Sequence, residues 1–284
     1  MTAFAETAIR LGCFAGVLLC MMVWELLAPR RSLMARKSRR WLSNLGLVAL
    51  NATLVRLVLP LTALGTAAFA EERGWGLLHQ LTMAGWLKFL IGIAALDFAI
   101  YLQHVLFHAV PALWRLHMVH HADLDFDVTT GLRFHTLEIL ISTFIKIGVV
   151  VMLGPSVWAV LTFEVLLNAT SMFSHGNVTL PARLDRVMRL LVVTPEMHRV
   201  HHSVDRRETN TNFGFNLPWW DYLLGTYRSQ PAAGHKRMSI GLSHLRDERQ
   251  VERLPAMLAL PFGSGTGEYP ICGRDQASTI DRPA

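Results

Sequence analysis

The sequence predicts an all-α membrane protein that crosses the bilayer several times and carries a histidine-rich metal site at one membrane face. Of its 284 residues, 52% are apolar and only 17% are charged. The mean hydropathy is +0.33, and this composition is more typical of a membrane protein than of a soluble enzyme. Several apolar runs are long enough to span the hydrocarbon core. Ten of the thirteen histidines lie between His104 and His202, which places the expected site in the middle of the chain.

The first apolar run, from Ala8 to Leu27, is predicted to be a membrane span that stops at Arg30 and Arg31. A cleaved signal peptide is the weaker interpretation, because the basic residues follow the run instead of preceding it. The basic block from Arg30 to Arg40 predicts an inside-facing anchor near anionic lipid. We expect Glu25, at the inner end of the run, to pair with these arginines.

Three further apolar stretches follow. Leu45 to Ala70 is interrupted by Pro60, so it predicts either a kinked span or a hairpin. Trp86 to Val110 predicts a third span, which ends where a proline follows. Ile139 to Met172, divided by Gly154 and a proline, predicts a hairpin of two helices that enters and returns on the same side.

The positive-inside rule predicts that the histidine clusters between His104 and His202 meet at the cytoplasmic face, provided that the second run crosses once. The chain then divides into N-terminal transmembrane helices (1–85), a metal-binding catalytic domain (86–230) and a polar, partly disordered tail (231–284). Disorder is expected from about Gly263, where glycine, serine and threonine dominate. The glycines there follow no predicted strand, so they do not indicate a nucleotide-binding loop.

Eight histidines form three tight clusters in which partners stand three or four residues apart. On a helix this spacing places imidazoles on one face, one turn apart, where they can bind one first-row metal ion together. Eight exceed the four ligands that zinc usually takes, so we expect two metal ions. The eight are His104, His108, His117, His120, His121, His198, His201 and His202.

Four carboxylates near the clusters are candidates for orienting the histidines through the second ring nitrogen. Asp97 is expected on the same helix face as His104, and Glu138, Glu196 and Asp205 lie close to other clusters in the sequence. An ordinary helix-cap or salt-bridge role fits each of them equally well.

The three clusters, in this order, resemble the fatty acid hydroxylase/sterol desaturase superfamily of membrane-bound histidine-cluster di-iron oxygenases. Asn212-Phe213-Gly214 and the stretch from Trp220 to Tyr227 resemble the closing motif of that family, and the resemblance covers roughly residues 90–230. It implies two non-haem iron ions that activate dioxygen to hydroxylate or desaturate a lipid of the sterol or fatty acyl type. It also implies that the eight clustered histidines and His175 are the metal ligands.

The resemblance leaves two positions open. Some members carry two histidines four residues apart where this chain has Ser171 and His175, so one ligand of that pattern is missing. His135 stands in an Arg-x-His-x-x-Glu run similar to that of many members, which leaves open a role in the outer shell, at a substrate gate or as a ligand.

The implied reaction needs electrons that the chain cannot supply. The sequence has no haem-binding domain, iron–sulfur cysteine set or dinucleotide fingerprint, so we expect an external donor, a ferredoxin or a cytochrome with its reductase. Arg183, Arg186, Arg189 and Arg199 could form a basic surface for an acidic donor, or a positive-inside flank. No basic groove studded with aromatic residues is present, so nucleic acid is not an expected partner.

Two other classes remain as alternatives. A membrane zinc-dependent hydrolase would need fewer histidines, and no His-Glu-x-x-His motif occurs. A non-enzymatic metal-binding membrane protein, such as a transporter, would place its ligands near the middle of the membrane, whereas most of these histidines lie on polar segments. The three cysteines do not indicate a metal site or a disulfide framework.

Overall fold

A computed structural model of the protein describes residues 3–263 and 265–272, and within these ranges it is helical. The only strand-like pairings there are isolated bridges such as that of Pro29 with Val178. The helices, which include four-residue turns, are α1 (Ala3–Leu27), α2 (Lys37–Val58), α3 (Ala63–Arg73), α4 (Leu77–Gln80), α5 (Gly85–Ala109), α6 (Pro111–His121), α7 (Thr136–Leu153), α8 (Val157–Ser174), α9 (Ala182–Met188), α10 (Pro195–His201), α11 (Arg206–Thr209), α12 (Trp219–Leu224), α13 (Glu248–Val251) and α14 (Leu254–Gly263).

Five helical segments among the described residues are long and apolar enough to cross a membrane. They are Phe4–Leu27, Lys37–Gln80, Gly85–Ala109, Thr136–Leu153 and Val157–Ser174. Each exceeds or approaches the length that spans a hydrocarbon core of about 30 Å at a rise of 1.5 Å per residue. The all-α, multi-span architecture expected from the sequence is therefore confirmed.

The second apolar run forms a kinked span, not a hairpin. Asn51 on α2 donates to the carbonyl of Phe134 at 2.8 Å, beside the start of α7. After a turn that contains Pro60, α3 ends at the opposite end of α7, where Glu71 accepts a hydrogen bond from the Val157 amide at the start of α8. The chain therefore passes α7 from one end to the other once. The proline explains the break, because it cannot continue a helix without losing a backbone hydrogen bond.

Each of the five spans has one terminus at a common end of the bundle, which we call the site end. The site end holds the C-termini of α1, α5 and α8 and the N-termini of α2 and α7. Glu25 marks it, since its carboxylate accepts from the Val128 amide at 2.7 Å and from the Asn177 amide at 2.9 Å. The expected pairing of Glu25 with the arginines is therefore wrong: its oxygen instead joins α1 to two loops near the histidines.

Two arginines of the basic block are structural. Arg40 is fully buried and donates to Asp123 at 2.7 and 2.8 Å and to Asp127 at 2.7 Å. Arg30 pairs with Glu196 at 2.6 Å. The prediction that this whole block is an exposed lipid anchor is wrong for these two arginines, because acidic residues far along the chain bind them.

The segment after the bundle packs onto it. Buried side chains of α14, such as Met257, join the same hydrophobic cluster as Trp114 of α6. Tyr269 is only 3% exposed and stacks on Trp114 with ring centroids 5.6 Å apart. The disorder expected from Gly263 onward is therefore not found for residues 265–272, and the rest of that prediction lies outside the described residues.

Candidate metal centre

The structure brings all nine predicted ligand histidines together in two buried groups. Within each group the ligand-capable nitrogen atoms lie within 4.8 Å of one another. The first group has five members, His104, His108, His117, His121 and His201, and the second has four, His120, His175, His198 and His202.

Short helices deliver most of these side chains. The first turn of α6 holds Pro111, whose missing amide hydrogen costs nothing at that position. Helix α10 begins at Pro195, and the Thr194 hydroxyl caps it by accepting from the Met197 amide. These starts fix the register of each helix, so the i, i+3 and i, i+4 histidines share the face that turns toward the site.

The first group is arranged as metal ligands are. His104 donates from Nδ1 to the Phe213 carbonyl at 2.8 Å, and His117 donates from Nδ1 to Glu138 at 2.6 Å. With Glu138 ionised, neither acceptor has a proton to give, and each ring keeps an unprotonated Nε2. These two Nε2 atoms face each other at 3.1 Å. Two bare lone pairs at that distance repel unless a cation lies between them, which fits a bound metal ion.

A second pair of ring nitrogens in this group lies equally close. His108 donates from Nδ1 to the side-chain oxygen of Asn210 at 2.9 Å, and its Nε2 lies 3.1 Å from Nε2 of His121. Asn210 is itself fixed, because its amide nitrogen donates to the Tyr269 carbonyl at 2.8 Å. His201 is held from Nδ1 by the Thr211 carbonyl at 2.7 Å, and its buried Nε2 has no hydrogen-bond partner among the described residues.

The second group is centred on His175. Its Nδ1 donates to the Ser171 carbonyl at 2.7 Å, and its Nε2 lies 3.1–3.2 Å from Nε2 of His120, His198 and His202. That single lone pair can accept from only one of the three. Their Nδ1 atoms are buried without hydrogen-bond partners in the described structure. Three imidazoles thus converge without enough acceptors for their protons, which again fits a cation.

Ser171 explains the departure from the expected ligand pattern. Its hydroxyl donates to the Gly131 carbonyl at 2.7 Å, and its own carbonyl holds His175. Ser171 therefore supports the ligand His175 and ties the loop that contains Gly131 to α8. Because this position holds a serine and not a histidine, the second group has four histidines where the first has five.

Burial keeps these imidazoles neutral. It lowers the pKa of His117 to about 3, and burial together with the neighbouring imidazoles lowers that of His175 to about 3 despite the hydrogen bond to Ser171. Burial and nearby imidazoles also hold the pKa of His120, His202 and other members well below the usual range. Neutral imidazole is the form that binds metals, so the site needs no deprotonation at neutral pH.

Only one of the proposed orienting residues contacts a ligand histidine. Glu138 does so, through Nδ1 of His117. Asp97 instead accepts from the Trp220 indole at 2.8 Å and from two backbone amides. Glu196 pairs with arginines, and Asp205 caps α11. In the described structure these last three contact no ligand histidine, and their bonds match the alternative of ordinary structural roles.

His135 lies outside both groups. Its Nδ1 accepts from the Leu137 amide at the start of α7, and its Nε2 donates to the Leu258 carbonyl at 3.3 Å. Both ring nitrogens are thus used in joining α7 to α14, and His135 does not line the cavity described below.

Sequence reasoning missed the backbone carbonyls and Asn210 as partners of the histidines. One signal was present in the Asn212-Phe213-Gly214 stretch. Asn212 adopts a positive φ of 53°, and Asp221 accepts from the amides of Phe213 and Gly214, both at 2.8 Å. Burial raises the pKa of Asp221 to about 6. This clamp aims the Phe213 carbonyl at His104, which gives both motif stretches a physical role.

The expected basic docking surface is not formed. Arg199 is fully buried and pairs with Glu196 at 3.0 Å, and Arg189 is 5% exposed and pairs with Asp185 at 2.8 Å. Only two of the four proposed arginines, Arg183 and Arg186, are exposed.

Comparison with known proteins identifies one domain of the chain. Residues 89–226, which contain all nine histidines, match the family model described as fatty acid hydroxylase. These residues therefore form a fatty acid hydroxylase domain within the chain. No solved structure gave a significant match to the chain.

Curated relatives of this fatty acid hydroxylase domain act on several lipids. The chain is 31% identical over 191 residues to ornithine lipid hydroxylase OlsE of Rhizobium tropici, which covers 67% of this chain and 54% of that protein. It is 29% identical over 160 residues to human alkylglycerol monooxygenase, covering 56% and 33%. It is 30% identical over 154 residues to cholesterol 25-hydroxylase of Rattus norvegicus, covering 54% and 50%. The chain therefore spans about half of two of these relatives and a third of the other.

Proposed function

We propose that the protein is a membrane-bound di-iron oxygenase that hydroxylates or desaturates a lipid, using dioxygen and electrons from an external donor. The observation that carries this proposal is the pair of buried histidine groups, in which neutral imidazoles direct unprotonated nitrogen atoms at common points. The named relatives are hydroxylases or monooxygenases, which favours hydroxylation over desaturation.

Nine neutral nitrogen ligands suit two divalent iron ions. The group of five histidines would hold one ion, and the group of four would hold the other. Imidazole ligands leave most of the positive charge of the ions uncompensated, and open coordination positions are a feature of iron sites that use dioxygen. When bound, the iron ions supply the activation of dioxygen. The protein's own part is to hold the ligands, shape the site and place the lipid.

A cavity of about 420 Å³ lies beside the histidines, between α1, α2, α5, α7 and α8. This volume is within the usual range for small-molecule sites. His104 and His117 form part of its wall, and most of the remaining wall is apolar, with Phe107, Phe134 and Phe215 among its residues. A lipid in this cavity would hold an unactivated C–H bond next to the metals, and such positioning contributes several kcal/mol to catalysis.

The residues around the histidines have defined tasks in this proposal. Glu138 fixes the tautomer of His117, as outer-shell partners of metal ligands do, and its second oxygen is buried beside the cavity without a partner in the described structure. Phe134 stacks on His120 at 4.5 Å. Apolar contacts of this kind keep bulk water away from the site, which protects a strong oxidant from side reactions.

The membrane placement belongs to the proposal too. Arg36, Lys37 and Arg39 are at least partly exposed at the site end of the bundle, so the positive-inside rule favours the cytoplasmic face for the site. A ferredoxin or a cytochrome with its reductase would then reach it from the cytoplasm. We further propose the division into an N-terminal transmembrane part (1–85), a catalytic domain (86–230) and a C-terminal tail (231–284).

Isotope incorporation tests the function. The full chain in membranes, with iron, a ferredoxin and its reductase, should transfer one ¹⁸O atom from ¹⁸O₂ into a membrane lipid if it hydroxylates. If it desaturates, it should form a new double bond in a lipid and consume dioxygen. His198→Ala should abolish either product, whereas His244→Ala, at an exposed histidine outside both groups, should not. Lipid turnover without dioxygen would contradict the proposal and favour a zinc-dependent hydrolase.

A further inference from the structure

One hydrogen-bonded polar pair lies on the wall of the largely apolar cavity. Gln103 on α5 donates from its side-chain nitrogen to the Ser142 hydroxyl on α7 at 2.8 Å, and both residues line the cavity. The side-chain oxygen of Gln103 is buried and has no hydrogen-bond partner in the described structure. A buried acceptor without a donor costs about 1–3 kcal/mol, so this oxygen is best explained as a contact for a molecule in the cavity.

The pair lies close to the reacting end of the cavity. Gln103 directly precedes His104, and Ser142 stands one helical turn beyond Glu138, which holds His117. One turn of α-helix is about 5.4 Å long. A group bound to Gln103 therefore lies within a few bonds of the carbon that faces the histidines.

The charges at the other end of the cavity cancel. Arg10, which lines the cavity, pairs with Glu6 at 2.9 Å and with Glu164, and Lys146 also pairs with Glu164. The helical rise places Glu164 about 16 Å from His175. Two cations face two carboxylates, so a charged lipid headgroup would meet no uncompensated opposite charge there. An uncharged polar group is far cheaper to bury.

We propose that the cavity binds a lipid with an uncharged hydrogen-bond donor, a hydroxyl or an N–H group, and that Gln103 accepts this hydrogen bond. Gln103 is thus a substrate-positioning residue that selects the reacting carbon near the polar group of the lipid and not near the end of its tail. The inference rests on the proposed function, since it takes the cavity as the substrate site.

Binding of two matched probes tests this assignment without turnover. Hexadecan-1-ol has the donor, and its O-methyl ether has the same chain without it. Their affinities for the full chain with bound metal would be compared anaerobically, without reductant, by native mass spectrometry from detergent. The alcohol should bind about tenfold more tightly, as expected for one hydrogen bond to a buried acceptor.

Variants locate the acceptor. Gln103→Met should bind both probes equally, whereas Asn168→Leu, at another polar position on the same cavity wall, should keep the preference. Equal binding in the unaltered protein overturns the inference even if every variant misfolds. A preference that survives in folded Gln103→Met also overturns it, because the hydroxyl of the probe then donates to another acceptor of the cavity, such as the free oxygen of Glu138. Either result leaves the isotope experiment unaffected, so the two failures are distinguishable.

Discussion

Replacing Arg40 tests whether a buried ion network holds the histidine loop in place. Arg40 is fully buried and binds Asp123 and Asp127, and Asp123 stands two residues after His121. Burial alone would raise the pKa of Asp123, but Arg40 and Arg133 outweigh burial and hold that pKa well below its usual range. The Asp123 carboxylate is therefore ionised and depends on the guanidinium.

Arg40→Met keeps much of the side-chain volume and removes the charge. Breaking a buried ion pair by removing one partner costs about 3–5 kcal/mol. For a protein of this size that corresponds to a fall in Tm of about 10 °C. Thermal unfolding in detergent, followed by tryptophan fluorescence, measures the shift, and we expect metal affinity to fall with it.

Two control variants test whether the loss of stability comes from the Arg40 ion network. Arg39→Met, at the partly exposed neighbour in the same basic block, should change the free energy of unfolding by less than about 1 kcal/mol. Adding Asp123→Asn to Arg40→Met should restore part of the stability, because one uncompensated charge is removed. If Arg40→Met and Arg39→Met lower Tm equally, Arg40 is an ordinary flanking charge and the reasoning is refuted.

Three further outcomes are expected. The metal-free protein should lose stability as pH falls below about 6.5, since His117 and His175 keep a pKa of about 3 when folded and only the unfolded chain takes up protons. Each contributes a loss of about 1.4 kcal/mol at pH 5.5, measurable by denaturant unfolding at pH 7.5 and 5.5, and a pH-independent stability would contradict their burial. Gly131→Ala should weaken metal binding by the second group, because a Cβ there would lie 2.5 Å from the Ser171 carbonyl oxygen that holds His175. Titration with metal measures the affinity, and an unchanged affinity would contradict this close approach. Asn210→Leu should lower metal affinity about 10–100-fold by freeing Nδ1 of His108, as competition with a chelator would show, and an unaltered affinity would mean that Asn210 does not orient the ring.

The spans and the convergence of the histidines could be predicted from the sequence because both depend on short-range regularities. The division into two groups could not, since the i, i+3 partners His117 and His120 lie in different groups, as do His198 and His201. Apolar runs report membrane helices by length alone, and histidines three or four residues apart share a helix face wherever the helix lies. The resemblance added His175, whose isolated position in the chain carries no spacing signal.

The partners of the histidines could not be predicted in the same way. Phe213 and Thr211 act through backbone carbonyls, which every residue type possesses. Arg40 resembled a membrane flank because its acidic partner lies 83 residues away in the chain. Asp97 shares a helix with His104 but faces Trp220, so its position on the helix did not determine its contacts.

The most direct test of the two-metal account is the metal content of the full chain, purified in mild detergent under reducing, anaerobic conditions. Elemental analysis should give about two irons per chain, in line with one ion for each histidine group, and His120→Ala should lose at least one of them. Zinc alone, or less than one bound metal per chain in both proteins, would contradict the di-iron oxygenase. The match to the family model would then indicate a shared domain without di-iron chemistry.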